Sequence, residues 1–296
     1  RIVKPEQSVR DMKGILKINQ PTPLLIAVPT TAGTGSEATV AAVITDEKTH
    51  FKYPINDFPL IPDYAVLDAR LTVGLPPFIT ATTGMDALVH AAEAFIGRST
   101  TKKTRTWAVM AVRLIRKNLL RAYENGEDLQ ARQNMLKAAF LAGEAFSMSY
   151  VGYVHGIAHS LGGQYGVPHG LANAVVCPYV FRQYDFAGQK RLAVLARAAG
   201  VVPADAEDRQ AAQGFIKWFE ELNSRMGIPD KLDCVKEEDI PVMAACAEKE
   251  SNPLYPVPKL MTKEDLEQIY RLLIPDENKT AVRPGNSACS VQAAAV

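Results

Sequence analysis

The segment Gly84-Met-Asp-Ala-Leu-Val-His90 places a carboxylate, Asp86, and an imidazole, His90, four positions apart among apolar residues. Residues four apart lie on one face of a helix, about one turn from each other, so both side chains can reach one ion. A buried carboxylate is costly unless a cation or a strong donor faces it. The segment therefore predicts a buried helix that carries part of a metal site.

The segment His155-Gly-Ile-Ala-His159 repeats this spacing, and His169 follows in a Pro-His-Gly turn. Four of the chain's five histidines fall in these motifs. One carboxylate with several imidazoles, and no thiolate nearby, suits a borderline divalent metal such as iron(II) or zinc. The alternative is a buried network of Asp–His hydrogen bonds that holds no metal. We favour the metal site because two matched pairs and a third histidine occur together.

Spacing alone leaves the ligand set open. Three nitrogens and one oxygen would come from Asp86, His90, His155 and His169. His159 lies one helical turn from His155, so it could bind the metal or act as a proton-transfer group beside it.

The segments around these motifs predict an α/β part followed by a helical part, with the change near residue 76. Short β-branched or apolar runs predict strands at 23–29, 39–45 and 64–68, the first of them buried. Amphipathic periods and cap residues predict helices from residue 78 onward, at 104–123, 128–146, around His155 and His159, and at 191–199, 209–226 and 263–273.

A small-residue segment follows the first predicted strand, Pro29-Thr-Thr-Ala-Gly-Thr-Gly-Ser-Glu37. Hydroxyls and glycines after a strand can place N–H groups and oxygens around a phosphate. Neither the Gly-x-x-x-x-Gly-Lys-Ser/Thr frame nor the Gly-x-Gly-x-x-Gly frame is met, so a tight turn is the alternative.

Composition excludes several classes of protein. The 296 residues are 47% hydrophobic with a formal charge of +1, which indicates a folded chain without a nucleic-acid-binding surface. No apolar stretch reaches the roughly 18 residues of a membrane span, so no membrane partner is expected. The four cysteines form no Cys-x-x-Cys pair, which favours a reducing, cytoplasmic location.

Four motifs in this order closely resemble the iron-containing alcohol dehydrogenases, relatives of glycerol dehydrogenase and dehydroquinate synthase. They are Pro29-Thr-Thr-Ala-Gly-Thr-Gly-Ser-Glu37, Gly84-Met-Asp-Ala-Leu-Val-His90, His155-Gly-Ile-Ala-His159 and Pro168-His-Gly-Leu-Ala-Asn173. The resemblance covers residues 21 to 273 and includes Ser251-Asn-Pro-Leu-Tyr-Pro256.

The resemblance implies an α/β remnant of a nucleotide-binding domain at 1–75 and an all-α, dehydroquinate synthase-like metal-binding domain at 76–274. Residues 275–296 are expected to be a disordered tail. Members of this family carry roughly a hundred further residues of the doubly wound cofactor domain, including a Gly-Gly-Gly-Ser loop, before the segment that begins here. We therefore expect a truncated cofactor domain.

The resemblance also implies a function: an oxidoreductase that interconverts a primary or short-chain alcohol and its aldehyde or ketone. The cofactors would be NAD or NADP and Fe²⁺ (or Zn²⁺), with Asp86, His90, His155 and His169 holding the metal. The catalytic residue would be His159, close to the nicotinamide. The remaining cofactor contacts would come from Thr30, Thr31, Gly33, Thr34 and Lys52.

The expected partner is a small alcohol or aldehyde, with a homodimer as the candidate assembly. Two alternatives stay open at this point. One is a truncated, non-catalytic metal-binding fragment. The other is a metal- and NAD-dependent lyase similar to dehydroquinate synthase.

Overall fold

The computed structural model describes residues 5–45 and 52–275, without the side chains of Thr45, Lys52 and Ala187. The described residues form five short strands followed by nine α-helices. The strands are β1 (Gly14–Ile15), β2 (Ile26–Ala27), β3 (Ala41–Thr45), β4 (Lys52–Asn56) and β5 (Tyr64–Ala65). The helices are α1 (Pro77–Ile96), α2 (Lys102–Glu124), α3 (Leu129–Ser149), α4 (Tyr153–Tyr165), α5 (His169–Gln183), α6 (Phe186–Ala198), α7 (Asp208–Arg225), α8 (Ile240–Ser251) and α9 (Lys263–Leu273).

The strands make two small sheets. In the first, β4 lies between β1, which is parallel to it, and β3, which is antiparallel. In the second, β2 pairs with β5 in parallel. The prediction of a buried strand at 23–29 is wrong, because only Ile26 and Ala27 are extended and Ile26 is 52% exposed. Among the described residues this strand pairs only with β5, so little apolar surface covers it.

The helix α1 lies at the centre of the helical part. It packs against α2, α3, α5 and α6. Its side chains from Ala87 to Ala92 are buried on every face, which is the pattern of a helix enclosed by other helices. This position explains how Asp86 and His90 come to be buried, as the apolar neighbours of these residues predicted.

The predicted helices are confirmed, with ends that differ by a few residues. The predicted cap of α9 is also present: the Thr262 hydroxyl accepts from the Asp265 N–H, and the Asp265 carboxylate accepts from the Thr262 N–H. Helices α5 and α8 were not predicted. Most residues of α5 are buried and Pro178 lies inside it, so it has neither an amphipathic period nor the composition of a helix interior.

The prediction of a Pro-His-Gly turn at 168–170 is wrong. His169 is the first residue of α5, with Pro168 before it as the N-cap, and does not lie in an isolated turn. The predicted tail at 275–296 lies, apart from Pro275, outside the described residues. No helix of the described part is long and apolar enough to cross a membrane.

Candidate metal centre

Three helices bring four predicted residues together. Asp86 and His90 lie on α1, His155 on α4, and His169 at the start of α5. Helix α5 packs against both α1 and α4, which places the three helices around one point. One ligand atom from each of the four side chains lies within 4.8 Å of all the others.

The Asp86 carboxylate lies at the middle of this cluster. Its Oδ1 is 3.7 Å from Nε2 of His155 and 3.6 Å from Nε2 of His169, and its Oδ2 is 3.9 Å from Nδ1 of His90. These separations are too long for hydrogen bonds. Nδ1 of His90 and Nε2 of His155 are buried and have no hydrogen-bond partner among the described residues. Buried polar atoms are rarely left in this state unless another group binds them.

The donor set fits a divalent metal. Zinc binds imidazole nitrogen and carboxylate oxygen at about 2.0–2.2 Å, so neighbouring donors on one ion lie about 3–4 Å apart. The separations from Asp86 fall in this range. Three nitrogens and one oxygen, without a thiolate, suit iron(II) as well as zinc.

The ionisable groups of the cluster shift one another's pKa values. Burial alone would raise the pKa of the Asp86 carboxyl, but the His90, His169 and His155 rings outweigh burial and hold that pKa well below its usual range. Burial lowers the pKa of His90 to about 3. Burial opposes the charge on His155 too, but Asp86 and Glu93 raise its pKa to about 9. The carboxylate at the centre is therefore ionised and attracts positive charge.

A second carboxylate, Glu93, holds His155 in place. Its Oε2 is 2.6 Å from Nδ1 of His155, and it also accepts the backbone N–H groups of Gly152 and Val154, each at 2.9 Å. Gly152 is the N-cap of α4 and has no side chain to cap that helix, so Glu93 does so from α1. This contact keeps a proton on Nδ1 of His155, so in the neutral ring that a metal would bind, Nε2 is the unprotonated nitrogen, and it faces Asp86.

Two further side chains complete the surroundings of the cluster. Asn173 donates from Nδ2 to Asp86 Oδ1 at 2.7 Å, and the same nitrogen is 3.1 Å from Nε2 of His169. The Phe146 ring stacks on His90 with centroids 4.2 Å apart. These contacts restrict the rotation of Asp86 and His90 and exclude water from one side of the cluster.

His159 lies beside the cluster, with a partner of its own. Its Nδ1 is 2.6 Å from Oε1 of Glu250, which also accepts the Tyr255 hydroxyl at 2.7 Å. The His159 ring stacks on His169 with centroids 5.2 Å apart. Its side chain is 28% exposed, so it faces the accessible side of the cluster.

The small-residue segment that follows β2 lies between α1 and α3. A Cβ on Gly33 would lie 2.6 Å from Cβ of Thr83 on α1, and the Gly33 backbone lies close enough to the His90 ring to influence its pKa. Gly35 has φ +61° and a Cβ there would lie 2.8 Å from Cα of Gly143 on α3. Glycines are thus required for the loop to approach both helices closely, which brings it to the edge of the cluster.

The other predicted cofactor residues are placed as follows. Thr30 and Thr34 are exposed and Thr31 is half-buried. The Thr34 hydroxyl accepts the Ser36 N–H at 3.3 Å. Lys52 lies in β4, but its side chain is outside the described part of the chain.

The sequence interpretation missed Glu93, Asn173 and Glu250 as members of the site. Glu93 had a detectable signal, because it follows Asp86 by seven positions and therefore lies on the same face of α1. Asn173 follows His169 by four positions, a similar signal on α5. Glu250 had none, because the contact with His159 joins residues that are far apart in the chain.

Comparison with known proteins identifies the family. Residues 80–274 match the family model described as Fe-containing alcohol dehydrogenase family, C-terminal. Residues 3–69 match the model described as Iron-containing alcohol dehydrogenase. The two models together cover both the strands and the helices, including all four residues of the cluster.

Individual relatives agree with the family models. The chain is 40% identical over 260 residues to 1,3-propanediol dehydrogenase of Citrobacter freundii, covering 87% of this chain and 67% of the relative. It is 37% identical over 269 residues to NAD-dependent methanol dehydrogenase of Bacillus methanolicus, covering 89% and 69%. The solved structure of an alcohol dehydrogenase from Oenococcus oeni superimposes with a TM-score of 0.87 at 39% identity, covering 92% and 71%.

The chain thus spans about two thirds of these relatives' length. These matches favour a dehydrogenase over the lyase and the non-catalytic fragment. The chain therefore belongs to the iron-containing alcohol dehydrogenase family and is an NAD(P)-dependent alcohol dehydrogenase that uses a divalent metal.

Proposed function

We propose that Asp86, His90, His155 and His169 bind one divalent ion, with iron(II) as the first candidate, and that a short-chain alcohol is oxidised beside it. The observation that carries this proposal is the convergence of one ionised carboxylate and three imidazoles within 4.8 Å. Two of those imidazoles point buried, unpartnered nitrogens at the carboxylate.

The chemistry divides between the bound groups and the chain. A divalent ion would supply Lewis-acid polarisation of the substrate C–O group, and the nicotinamide would supply or accept the hydride. The chain's own residues orient these groups. Glu93 keeps the proton of His155 on Nδ1, and Asn173 holds the Asp86 carboxylate in its orientation.

His159 is the residue that we assign to proton transfer. It lies one turn of α4 from His155 and next to His169, yet its Nδ1 is bonded to Glu250 and it is absent from the four-residue cluster. An imidazole with a fixed Nδ1 hydrogen bond and an accessible ring can accept the hydroxyl proton as an alcohol is oxidised and return it as a carbonyl is reduced.

The loop around Gly33 and Gly35 is our candidate contact with the cofactor, through Thr30, Thr31, Gly33 and Thr34, with Lys52 of β4 and His159 of α4 as further candidate contacts. Support comes from its position between α1 and α3, with Thr30 and Thr34 exposed and the Gly33 backbone near the His90 ring. We propose that residues 1–75 belong to the cofactor part and 76–274 to the metal and substrate part. The strands end at Ala65 and α1 begins at Pro77, in agreement with that division.

A small substrate is supported by the relatives, which are named for 1,3-propanediol and methanol. We expect the chain to act on a primary alcohol of similar size and on the corresponding aldehyde. An anaerobic assay with iron(II), short aldehydes and either NADH or NADPH, followed by nicotinamide absorbance, tests this. Absence of turnover with both cofactors over a series of short aldehydes would count against it.

The metal assignment has a separate test that needs no turnover. Asp86→Ala and His155→Ala should lose the metal, whereas His159→Ala should keep it and turn over slowly. Metal content of the purified variants gives the answer directly. Metal lost from the His159 variant and kept in the His155 variant would overturn the assignment.

We also propose a cytoplasmic homodimer. Exposed apolar side chains in and beside β2 and β5 support the assembly: Leu24, Ile26, Val28, Tyr64 and Val66. The requirement for a nicotinamide pool supports the location. Light scattering on the purified chain measures the assembly, and a monomeric mass at micromolar concentration would contradict it.

A further inference from the structure

Glu250 connects α8 to the candidate catalytic histidine. It is the second-last residue of α8, and its Oε1 lies 2.6 Å from Nδ1 of His159 on α4. Helices α4 and α8 pack against each other, so the contact is part of a helix interface. The two side chains are 28% and 34% exposed, which leaves this hydrogen bond at the border between protein and solvent.

The contact decides which ring nitrogen carries the proton. An ionised carboxylate can only accept hydrogen bonds, so Nδ1 of His159 donates and the neutral ring keeps Nε2 unprotonated. Without Glu250 both tautomers would be accessible. The Glu93–His155 contact has the same form, so both histidines of α4 are held at Nδ1 by a carboxylate from another helix.

Other contacts restrict the rotation of both partners. The Tyr255 hydroxyl donates to Glu250 Oε1, the oxygen that His159 also contacts, at 2.7 Å. The His159 ring lies nearly parallel to that of His169, at an angle of 18° and 5.2 Å between centroids. The ring is therefore fixed by a hydrogen bond at one edge and by stacking on one face.

We propose that Glu250 is a positioning residue for the dehydrogenase reaction, which holds His159 in the Nδ1–H tautomer with Nε2 as its basic nitrogen beside the metal cluster. This deepens the proposed function and rests on the role given there to His159. Among the described residues, the Glu250 carboxylate hydrogen-bonds His159 and Tyr255 and none of the four cluster residues, so it acts through the ring of His159.

The tautomer can be measured without any turnover. In the zinc-loaded full chain labelled with ¹⁵N-histidine, we expect the His159 signals of an Nδ1–H tautomer, assigned by their loss in His159→Ala. Glu250→Leu, of similar size but without an acceptor, should lose that tautomer preference. Glu248→Leu, on the same helix, is the matched control and should keep it. An unchanged His159 pattern in Glu250→Leu would overturn the proposal.

Kinetics give a second, independent test. Glu250→Leu should lower kcat about tenfold, with KM and metal content within about twofold of the unmodified enzyme. Glu250→Gln can still accept a hydrogen bond, so its kcat should lie between those of Glu250→Leu and the unmodified enzyme. In a His159→Ala background the same change should alter kcat by less than about twofold, because its effect passes through His159.

The outcomes separate the two proposals. Equal losses in both backgrounds would show that Glu250 acts on stability or on another residue, and would overturn the inference. If Glu250→Leu does not fold, the same comparison with Glu250→Gln replaces it. Lack of turnover in the unmodified chain would instead refute the proposed function, while the nuclear magnetic resonance result would still test the Glu250–His159 contact.

Discussion

Nδ1 of His155 and Oε2 of Glu93 lie 2.6 Å apart and join α4 to α1 at the centre of the helical part. Glu93 also accepts two backbone N–H groups at the beginning of α4, so one buried carboxylate both caps a helix and orients an imidazole. The metal cluster and the interface of these helices therefore depend on the same side chain.

Replacing Glu93 should weaken metal binding more than it changes the fold. Glu93→Gln keeps the shape of the side chain but replaces one accepting oxygen with an NH₂ group, which cannot accept from the N–H groups of His155, Gly152 and Val154. His155 therefore loses its fixed orientation. We expect affinity for zinc to fall about tenfold or more, measured by competition with a chromophoric chelator. Glu144→Gln, a half-buried carboxylate on α3 outside the cluster, is the control. Equal affinities of Glu93→Gln and the control would show that Glu93 does not support the site.

Metal binding should stabilise the folded chain through Asp86. A ligand present at 100 times its Kd that binds only the folded state raises the free energy of unfolding by about 2.7 kcal/mol. We expect such a gain on adding zinc or iron(II), and expect it to disappear in Asp86→Asn. Denaturant titration with and without metal measures it. The exposed Asp205→Asn serves as the control, and a full gain in Asp86→Asn would exclude this cluster as the site.

The loop near the cluster should not tolerate a side chain at Gly35. Gly35→Ala would place a Cβ 2.8 Å from Cα of Gly143 at a φ of +61°, so we expect the free energy of unfolding to fall by about 1–3 kcal/mol. Gly163→Ala is the opposite case: it lies inside α4 with no atom within 4 Å of the added Cβ, and should gain up to about 1 kcal/mol. Midpoints of chemical denaturation compare the two, and matching midpoints would contradict the loop position.

Stability should depend on pH through Glu37. Glu37 is only 3% exposed and one of its carboxyl oxygens has no partner among the described residues, so burial raises the pKa of this carboxyl above its usual range. A raised folded-state pKa contributes stability below the unfolded pKa, and that contribution is lost as pH rises through the folded value.

Glu37→Gln should therefore be more stable than the unmodified chain at pH 7, by about 1 kcal/mol, with the difference vanishing near pH 4. Unfolding free energies between pH 4 and 8 measure it, with the exposed Glu127→Gln as reference. A stabilisation of Glu37→Gln that stays constant over this range would show that burial of the charge is not its cause.

Local pattern predicted much of the helical part and little of the strand part. Helix α9 was predicted with its bounds and its Thr262–Asp265 cap, because a cap is a contact between residues three apart. The strand at 23–29 was predicted too long and as buried, since burial depends on which strands lie beside it. Helix α5 lacked a detectable period because other helices cover most of its surface.

The sequence by itself determined the kinds of ligand atoms, which follow from the residue types. It also determined that Asp86 and His90 share one helix face, because an i,i+4 spacing brings them together whatever surrounds the helix. It left open whether His159 joins the cluster. Only the tertiary structure placed His159 outside the four-residue cluster: packing of α4 against α8 puts Glu250 beside His159, the Glu93 side chain of α1 reaches His155, and α5 brings His169 to Asp86. The physical reason is that helical spacing is set by local backbone geometry, whereas the second partner of each imidazole comes from a distant part of the chain.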